Sequence, residues 1–284
     1  MNKDLIAGVV ILYNPGEDLT RNILSYSGQV NKLLIFDNTE GETSSTIEKI
    51  KTIDNAIYFA ENRNLGVGYA LNFAANYALN SGYSYLLTMD QDSIAQKDFV
   101  EHLFSAFSEM DNTALAAPFF RNKYHTKSPP DEKFSDIFST MTSGNLLNLR
   151  IWKETGKFRE DYFIDYIDIE YCFRLRKKGY LITQVNSAIL DHNEANICKK
   201  RFLGRKVYPY NNASIRFYYK TRNYFYLRRE YSGSFGNEIK IENKFFLKNI
   251  IKMLIFEKER VNKIRMVIRG YLDFRKNIIG RFES

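Results

Sequence analysis

From Ile6 to Leu12 the chain is apolar or glycine without interruption. That is the pattern of a strand buried on both faces. Asn14-Pro15-Gly16 breaks it, and a helical stretch follows to about Ser27. Leu33-Leu34-Ile35-Phe36 predicts a second strand that stops at Asp37-Asn38, and a helix near Ser45 to Lys51 leads to a third strand around Ala56–Phe59. Asn64-Leu65-Gly66 then opens a helix whose apolar positions are Ala70, Leu71, Ala74, Ala75 and Ala78. Tyr85 to Met89 predicts a fourth strand, closed by Asp90-Gln91-Asp92-Ser93. This alternation predicts an α/β fold with a mostly parallel open sheet and helices on both faces. Ligands of such sheets bind beyond the carboxyl ends of the strands. Tyr13, Asp37, Asp90 and Asp92 fall there, so position alone makes them site candidates. The polar, proline-containing stretch 123–134 reads as a surface loop.

The composition, 44% hydrophobic and 26% charged, is that of a protein with a real core. Cys172 and Cys198 are too few for a disulfide framework and lack metal-site spacing. Cys172, between Tyr171 and Phe173, reads as a buried thiol. Neither a basic-then-apolar leader nor a run of about 18 apolar residues is visible. The expectation is a cytoplasmic protein, peripheral at the inner face of the cell membrane.

Charge is what suggests attachment. Residues 1–198 carry 19 basic and 26 acidic side chains, whereas residues 199–284 carry 22 basic and 7 acidic, so the net +8 comes from the tail. A basic tail meets something anionic. Lys244, Lys248 and Lys252 recur every four residues among Phe, Ile, Leu and Met. Such a helix suits the headgroup region of an anionic membrane surface. Equally, it suits a helix packed on the domain with its lysines in water. The basic segment 260–276 repeats the character. No zinc-finger, helix-turn-helix or ribonucleoprotein pattern occurs, which leaves nucleic acid the least favoured partner.

Asp90-Gln91-Asp92 places two carboxylates at a strand end, and oxygen ligands of this sort suit Mn²⁺ or Mg²⁺ bound jointly with substrate phosphates. Alternatively, Asp92 or Ser93 caps a helix starting near Gln96. A second cluster, Asp165, Asp168 and Glu170, sits among aromatics. A carboxylate held partly out of water has a raised proton affinity and can act as a general base. Glu170 and Arg174 are four apart and can pair, which leaves Asp168 to act; an acidic first helical turn is the plainer reading. His192 ends an apolar run and is a candidate ligand, whereas His102 and His125 have no such context. Asn64-Leu65-Gly66-Val67-Gly68 fails as a dinucleotide fingerprint because Leu71 stands at its sixth position.

In order, Tyr13-Asn14-Pro15, Asp37-Asn38, Asn62-Arg63-Asn64-Leu65-Gly66, Met89-Asp90-Gln91-Asp92-Ser93, Ser143-Gly144-Asn145-Leu146, Phe163 to Glu170, His192 and Tyr218-Tyr219-Lys220-Thr221-Arg222-Asn223 resemble the inverting family-two glycosyltransferases of GT-A fold, and among them the bacterial rhamnosyltransferase-like branch. The resemblance covers about residues 5 to 230. It departs where Thr39-Glu40-Gly41 follows the Asp-Asn pair, since many relatives have Ser or Gly there.

The resemblance implies a GT-A, Rossmann-like catalytic region at 1–200 and a basic, mainly helical region at 201–284. Tyr13 and Asp37 would contact the nucleobase, Asn64 and Gly66 the nucleotide or its diphosphate, and Asp90 and Asp92 the ribose and metal. Asp92 and His192 would hold Mn²⁺ or Mg²⁺, Asp168 would be the catalytic base, and Asp165 would contact the acceptor. It further implies a dTDP- or UDP-sugar donor, best L-rhamnose from dTDP-rhamnose, and a saccharide acceptor carried on lipid in surface polysaccharide (O antigen or capsule) synthesis. The same machinery moving galactofuranose, galactose or glucose is an alternative, as is a nucleotide-sugar-binding protein without catalysis.

Overall fold

The computed structural model describes residues 3–41, 45–121, 128–192, 200–202, 205–209 and 211–283. His125 and the first part of the expected 123–134 loop, together with Cys198, lie outside the described residues. Cys172 is a buried free thiol.

Strands β1 (Ile6–Leu12), β2 (Lys32–Asp37), β3 (Ala56–Ala60) and β4 (Tyr85–Asp90) are parallel neighbours in the order β3-β2-β1-β4. The uninterrupted apolar run of β1 follows from its two buried faces. Ala7 and Val9 enter one core with α3 (Val67–Asn80), while Ile6, Val10 and Leu12 enter the other with α1 (Leu19–Ser27), α2 (Ser45–Lys51) and α4 (Phe99–Glu109). Alternate side chains point to opposite faces of a strand, so both sets must be apolar.

Beyond β4 the sheet continues through an antiparallel strand. With β5 (Ser93–Ala95), β6 (Thr113–Arg121), β7 (Phe134–Asp136), β8 (Asn145–Asn148) and β9 (Leu181–His192), the order runs β4-β8-β6-β9-β5, and β7 pairs on β9. Strand β8 is antiparallel to both β4 and β6, and β9 returns parallel to β6. Ser93 pairs opposite His192 at the open end. The helix expected near Gln96 therefore begins only at Phe99, and neither Asp92 nor Ser93 caps it.

Helices α5 (Leu149–Thr155) and α6 (Ile167–Lys177) pack with α3 on one face of the sheet. The C-terminal part has a small hairpin of β10 (Lys200–Phe202) with β11 (Arg205–Val207), followed by α7 (Ser214–Tyr231), α8 (Gly236–Phe256) and α9 (Arg260–Arg275). Helix α9 crosses α7 closely. A Cβ at Gly270 would lie 2.4 Å from the Tyr218 carbonyl oxygen, so only glycine fits. Residues beyond α9 run back onto the N-terminal half, where the Gly280 amide donates to the Asp161 carbonyl at 2.7 Å.

Candidate active site

The carboxyl ends of β1, β2 and β4 collect the first group of expected residues. Tyr13 follows β1 and is 49% exposed. Its backbone is pinned by the Gln91 side chain, which accepts from the Tyr13 amide at 2.9 Å and donates to the Tyr13 carbonyl at 3.2 Å. Asp37 ends β2 and is buried, accepting from the Tyr58 hydroxyl at 2.7 Å and the Thr39 amide at 2.8 Å. Beside it the Asn38 side chain accepts from the Leu65 amide at 3.0 Å, and Asn64 accepts from the Gly66 amide at 3.0 Å. These bonds hold the Asn64–Gly66 turn against the end of β2, with Phe163 packed on Gly66.

Asp90, Asp92 and His192 form a second group, whose ligand atoms all lie within 4.8 Å of one another. Asp90 and Asp92 come from the end of β4, and His192 from the end of β9, brought alongside by the β5–β9 pairing. A chain of buried hydroxyls joins them. Ser143 Oγ accepts from the Asp90 amide at 3.1 Å and lies 2.8 Å from Ser93 Oγ, which is 2.8 Å from His192 Nδ1. Gly144 permits this close approach, with φ of +77° and a Cβ that would meet the Leu190 side chain at 2.7 Å. Burial, with the charges of Asp92 and Asp168, pushes the Asp90 carboxyl up to about 6, and the nearby His192 opposes this. Two carboxylates that repel one another beside an imidazole are a donor set that suits a divalent cation such as Mn²⁺ or Mg²⁺. The same Nδ1 that meets Ser93 also faces the Asp92 carboxylate, at 3.7 Å.

The third group lies on the loop before α6. Asp168 stands in the first turn of α6, and its carboxylate accepts from the Ile169 amide at 2.8 Å. Burial, and next the charge of Asp165, push it up to about 6, while backbone N–H groups oppose the rise. Burial alone would raise Asp165 too. There the Arg216 guanidinium, bonded through two nitrogens at 2.7 and 2.6 Å, with Lys220 close by, outweighs it and holds the carboxyl below its ordinary range. Neighbouring acids are thereby driven apart, one to a fixed anion and one to a proton acceptor with affinity near neutrality. Glu170 is buried, paired with Arg174 at 2.8 Å and accepting from the Tyr231 hydroxyl at 2.9 Å, so its carboxylate is committed to packing.

This loop is held in an uncommon shape. Phe163, Asp165 and Tyr166 all have left-handed φ, between +62° and +66°. L-residues reach that region only at a cost of about 1–2 kcal/mol each. The buried Asn223 side chain of α7 offsets it by donating to the carbonyls of Tyr162, Ile164 and Asp165, each at 2.9 Å. Arg222, fully buried, donates to the carbonyls of Asp161 and Tyr162 at 3.1 Å and of Gly280 at 2.7 Å. The loop also meets the Asn64–Gly66 turn, since the Val67 amide donates to the Phe163 carbonyl at 2.9 Å.

Three residues in this region escaped the sequence reading. Arg216 holds Asp165, and Arg281 bonds Glu40 at 2.8 Å beside Asn64. Glu242 of α8 is pushed up to about 7 by burial and by the charge of Asp168. Each comes from a helix or tail distant in sequence, and no local pattern signals the meeting.

Comparisons with known proteins identify the family and the fold. The family model described as Glycosyl transferase family 2 matches residues 9–180. The chain is 25% identical to a dTDP-rhamnosyl transferase, RfbF, of Shigella flexneri, an alignment that covers 99% of this chain and 98% of that protein. Among solved structures, S. aureus TarS 1–349 in complex with UDP-GlcNAc superposes with a TM-score of 0.59 at 14% identity, covering 96% of this chain and 81% of that one. GalNAc-T7 with UDP, GalNAc and Mn²⁺ superposes with a TM-score of 0.59 at 14% identity over 90% of this chain, which spans only 58% of that longer chain. These likenesses show a common fold, the GT-A fold of glycosyltransferases.

Proposed function

This chain belongs to glycosyl transferase family 2 and is a glycosyltransferase, and we propose that it moves L-rhamnose from dTDP-rhamnose onto a saccharide acceptor with inversion at the anomeric carbon. The donor assignment is supported by the relative that carries that name and aligns over nearly the whole length of both chains. In this reading Tyr13 stacks on the nucleobase and Asp37, oriented by Tyr58 and Thr39, bonds it. Asn64 and Gly66 border the diphosphate, and Asp90 takes the ribose.

When bound, Mn²⁺ or Mg²⁺ held by Asp92 and His192 neutralises the diphosphate that leaves. The protein's own part is acid–base and positional. The Asp168 carboxylate takes the proton of the acceptor hydroxyl, and that oxygen bonds to the anomeric carbon as the bond to the diphosphate oxygen breaks. Asp165, fixed as an anion by Arg216, receives the acceptor. The single observation that carries the reading is the convergence of Asp90, Asp92 and His192 at the strand ends near a half-buried Asp168.

The acceptor of this reading is a lipid-borne saccharide of surface polysaccharide, met at the inner face of the cell membrane. The test is donor consumption with dTDP-rhamnose and with UDP-galactose, UDP-glucose and UDP-galactofuranose, each with and without Mn²⁺. Preference for a UDP-sugar replaces rhamnose and leaves the rest standing. Donor binding without turnover on any acceptor makes the chain a binding protein. Asp92→Ala should abolish the Mn²⁺ dependence of donor binding.

A further inference from the structure

We infer that the outer faces of α8 and α9 form a docking surface for an anionic lipid bilayer. Among the described residues the large exposed apolar side chains are Tyr13, Leu24 and Met141, and then thirteen more crowded between residues 241 and 279. Phe245 and Ile251 of α8 are 53% and 55% exposed, and Val261 and Ile268 of α9 are 63% and 53% exposed. Scattered apolar residues on a surface need no explanation, but a contiguous concentration marks an interface. Helix α8 touches the rest of the protein through a narrow inner edge, where Phe246 stacks on Tyr224 at 4.4 Å and Met253 is buried. Helix α9 is likewise fixed by Gly270 against α7. The outer face of each thus carries large apolar side chains among its basic ones, where a water-facing helix would be polar throughout.

Charge selects the occupant. Lys240, Lys244, Lys248, Arg265 and Arg275 are exposed among these apolar residues. The acids nearby are mostly withdrawn: Glu257 and Asp273 are buried, with Glu257 bonded to Lys263 at 2.8 Å and Asp273 to Arg269 at 3.0 Å, and Glu259 stands in the turn between the helices. A second copy packed face to face would oppose cation to cation, because an isologous contact sets the same patch against itself. An anionic bilayer offers both an apolar layer and complementary charge. No described helix is long and apolar enough to cross a membrane, so the fit is to the interface plane.

The same helix faces the reaction on its other side. Glu242 of α8 feels the charge of Asp168, and its neighbour Asn243 accepts from the Tyr224 hydroxyl at 2.9 Å. A bilayer docked on α8 and α9 therefore holds the base side of the cleft at the headgroup layer. This last consequence rests on the glycosyl-transfer reading above; the docking itself does not.

The test is sedimentation of the full chain with phosphatidylcholine vesicles and with vesicles that also contain phosphatidylglycerol. Binding is expected only to the second kind, weakening as salt rises. Phe245→Ser with Ile251→Ser should lower the bound fraction about tenfold or more, and Lys244→Glu with Lys248→Glu should lower it at low salt. Near-UV circular dichroism and transfer to a soluble acceptor, unchanged in both variants, exclude misfolding. Equal binding to both vesicles, or to neither, overturns the inference. So does a dimer in light scattering that the serine variant dissociates, which would make the face a contact between copies. Vesicle binding without any sugar transfer would sink only the proposed reaction.

Discussion

Arg281, next to the end of the chain, donates to the Glu40 carboxylate at 2.8 Å across 241 residues. The contact sits beside the Asn64–Gly66 turn, since the Asn64 amide also donates to Glu40 and Arg281 reaches the Asn64 carbonyl at 3.4 Å. Arg281 is the first cause that holds the Glu40 carboxyl below its ordinary range. The tail is anchored there by the Tyr219 hydroxyl, which accepts from the Phe282 amide at 2.8 Å. The C-terminal residues are thus tied to the Glu40 and Asn64 segments near the carboxyl end of β2.

Arg281→Ala should therefore leave stability nearly unchanged, because an exposed pair contributes at most about 1 kcal/mol. It exposes the Glu40 charge beside the path of an anionic donor. The donor KM should rise roughly three- to tenfold, the effect of a unit charge a few ångströms away in water, with kcat kept. Adding Glu40→Gln should restore it, and steady-state kinetics of the single and double variants decide the matter. A donor KM that does not move would remove the tail from the donor site.

Asp168 carries the pH prediction. A carboxyl raised to about 6 is protonated, and useless as a base, below that pH. Turnover should therefore rise with pH to a plateau above about 6, losing about tenfold per unit on the acidic side. Asp168→Asn should lower kcat by roughly 10²–10⁴-fold and flatten that limb. If Asp168→Asn keeps the limb, the titration belongs to another group, and near-normal turnover removes Asp168 from the chemistry.

Asn223 tests how the base is held. Its amide bonds three carbonyls of a loop with three left-handed residues. Asn223→Ala strands these buried acceptors, so stability should fall by about 2–3 kcal/mol, read from urea unfolding. Hydrogen exchange of residues 161–168 should quicken while β1 and β2 stay protected. A uniform increase over the whole sheet would mean that Asn223 supports the fold at large and has no special hold on this loop.

The parallel half of the sheet was legible because strands buried on both faces leave continuous apolar runs. Strand β1 and helix α2 have the expected bounds. Strand β5 was not, since three residues starting at Ser93 carry no period and owe their conformation to His192 on the opposite strand. Asp37, Asp90, Asp92 and His192 were readable as polar residues ending apolar strands. Arg216, Glu242 and Arg281 were not, because a solvent-facing charge and a site-facing charge look alike until α7, α8 and the tail are packed. The four-residue spacing of lysines in α8 was visible as well, but only the packing of Phe246 on Tyr224 decides which side of that helix stays bare.

Gly66 joins the Asn64–Gly66 turn to the loop before α6, and its substitution loads both backbone strain and contact. It has φ of +86°, and a Cβ there would stand 2.6 Å from the Phe163 carbonyl oxygen and 2.9 Å from the Phe163 ring. Gly82 has nearly the same φ, +84°, with nothing within 4 Å. Gly82→Ala should therefore show the left-handed penalty alone, about 1–2 kcal/mol. Gly66→Ala must in addition bear a ψ of 164°, a conformation essentially confined to glycine, and push away the Phe163 carbonyl, which accepts from the Val67 amide and belongs to the strained loop before Asp168. Its melting temperature should fall further than that of Gly82→Ala, by about 2–4 °C for each added kcal/mol. Because Asn64 and Gly66 lie on one side of that contact and Asp168 follows on the other, donor KM and kcat should both worsen, whereas Gly82→Ala should alter neither. Equal melting temperatures and equal kinetics for the two variants would show that the turn and the loop move independently.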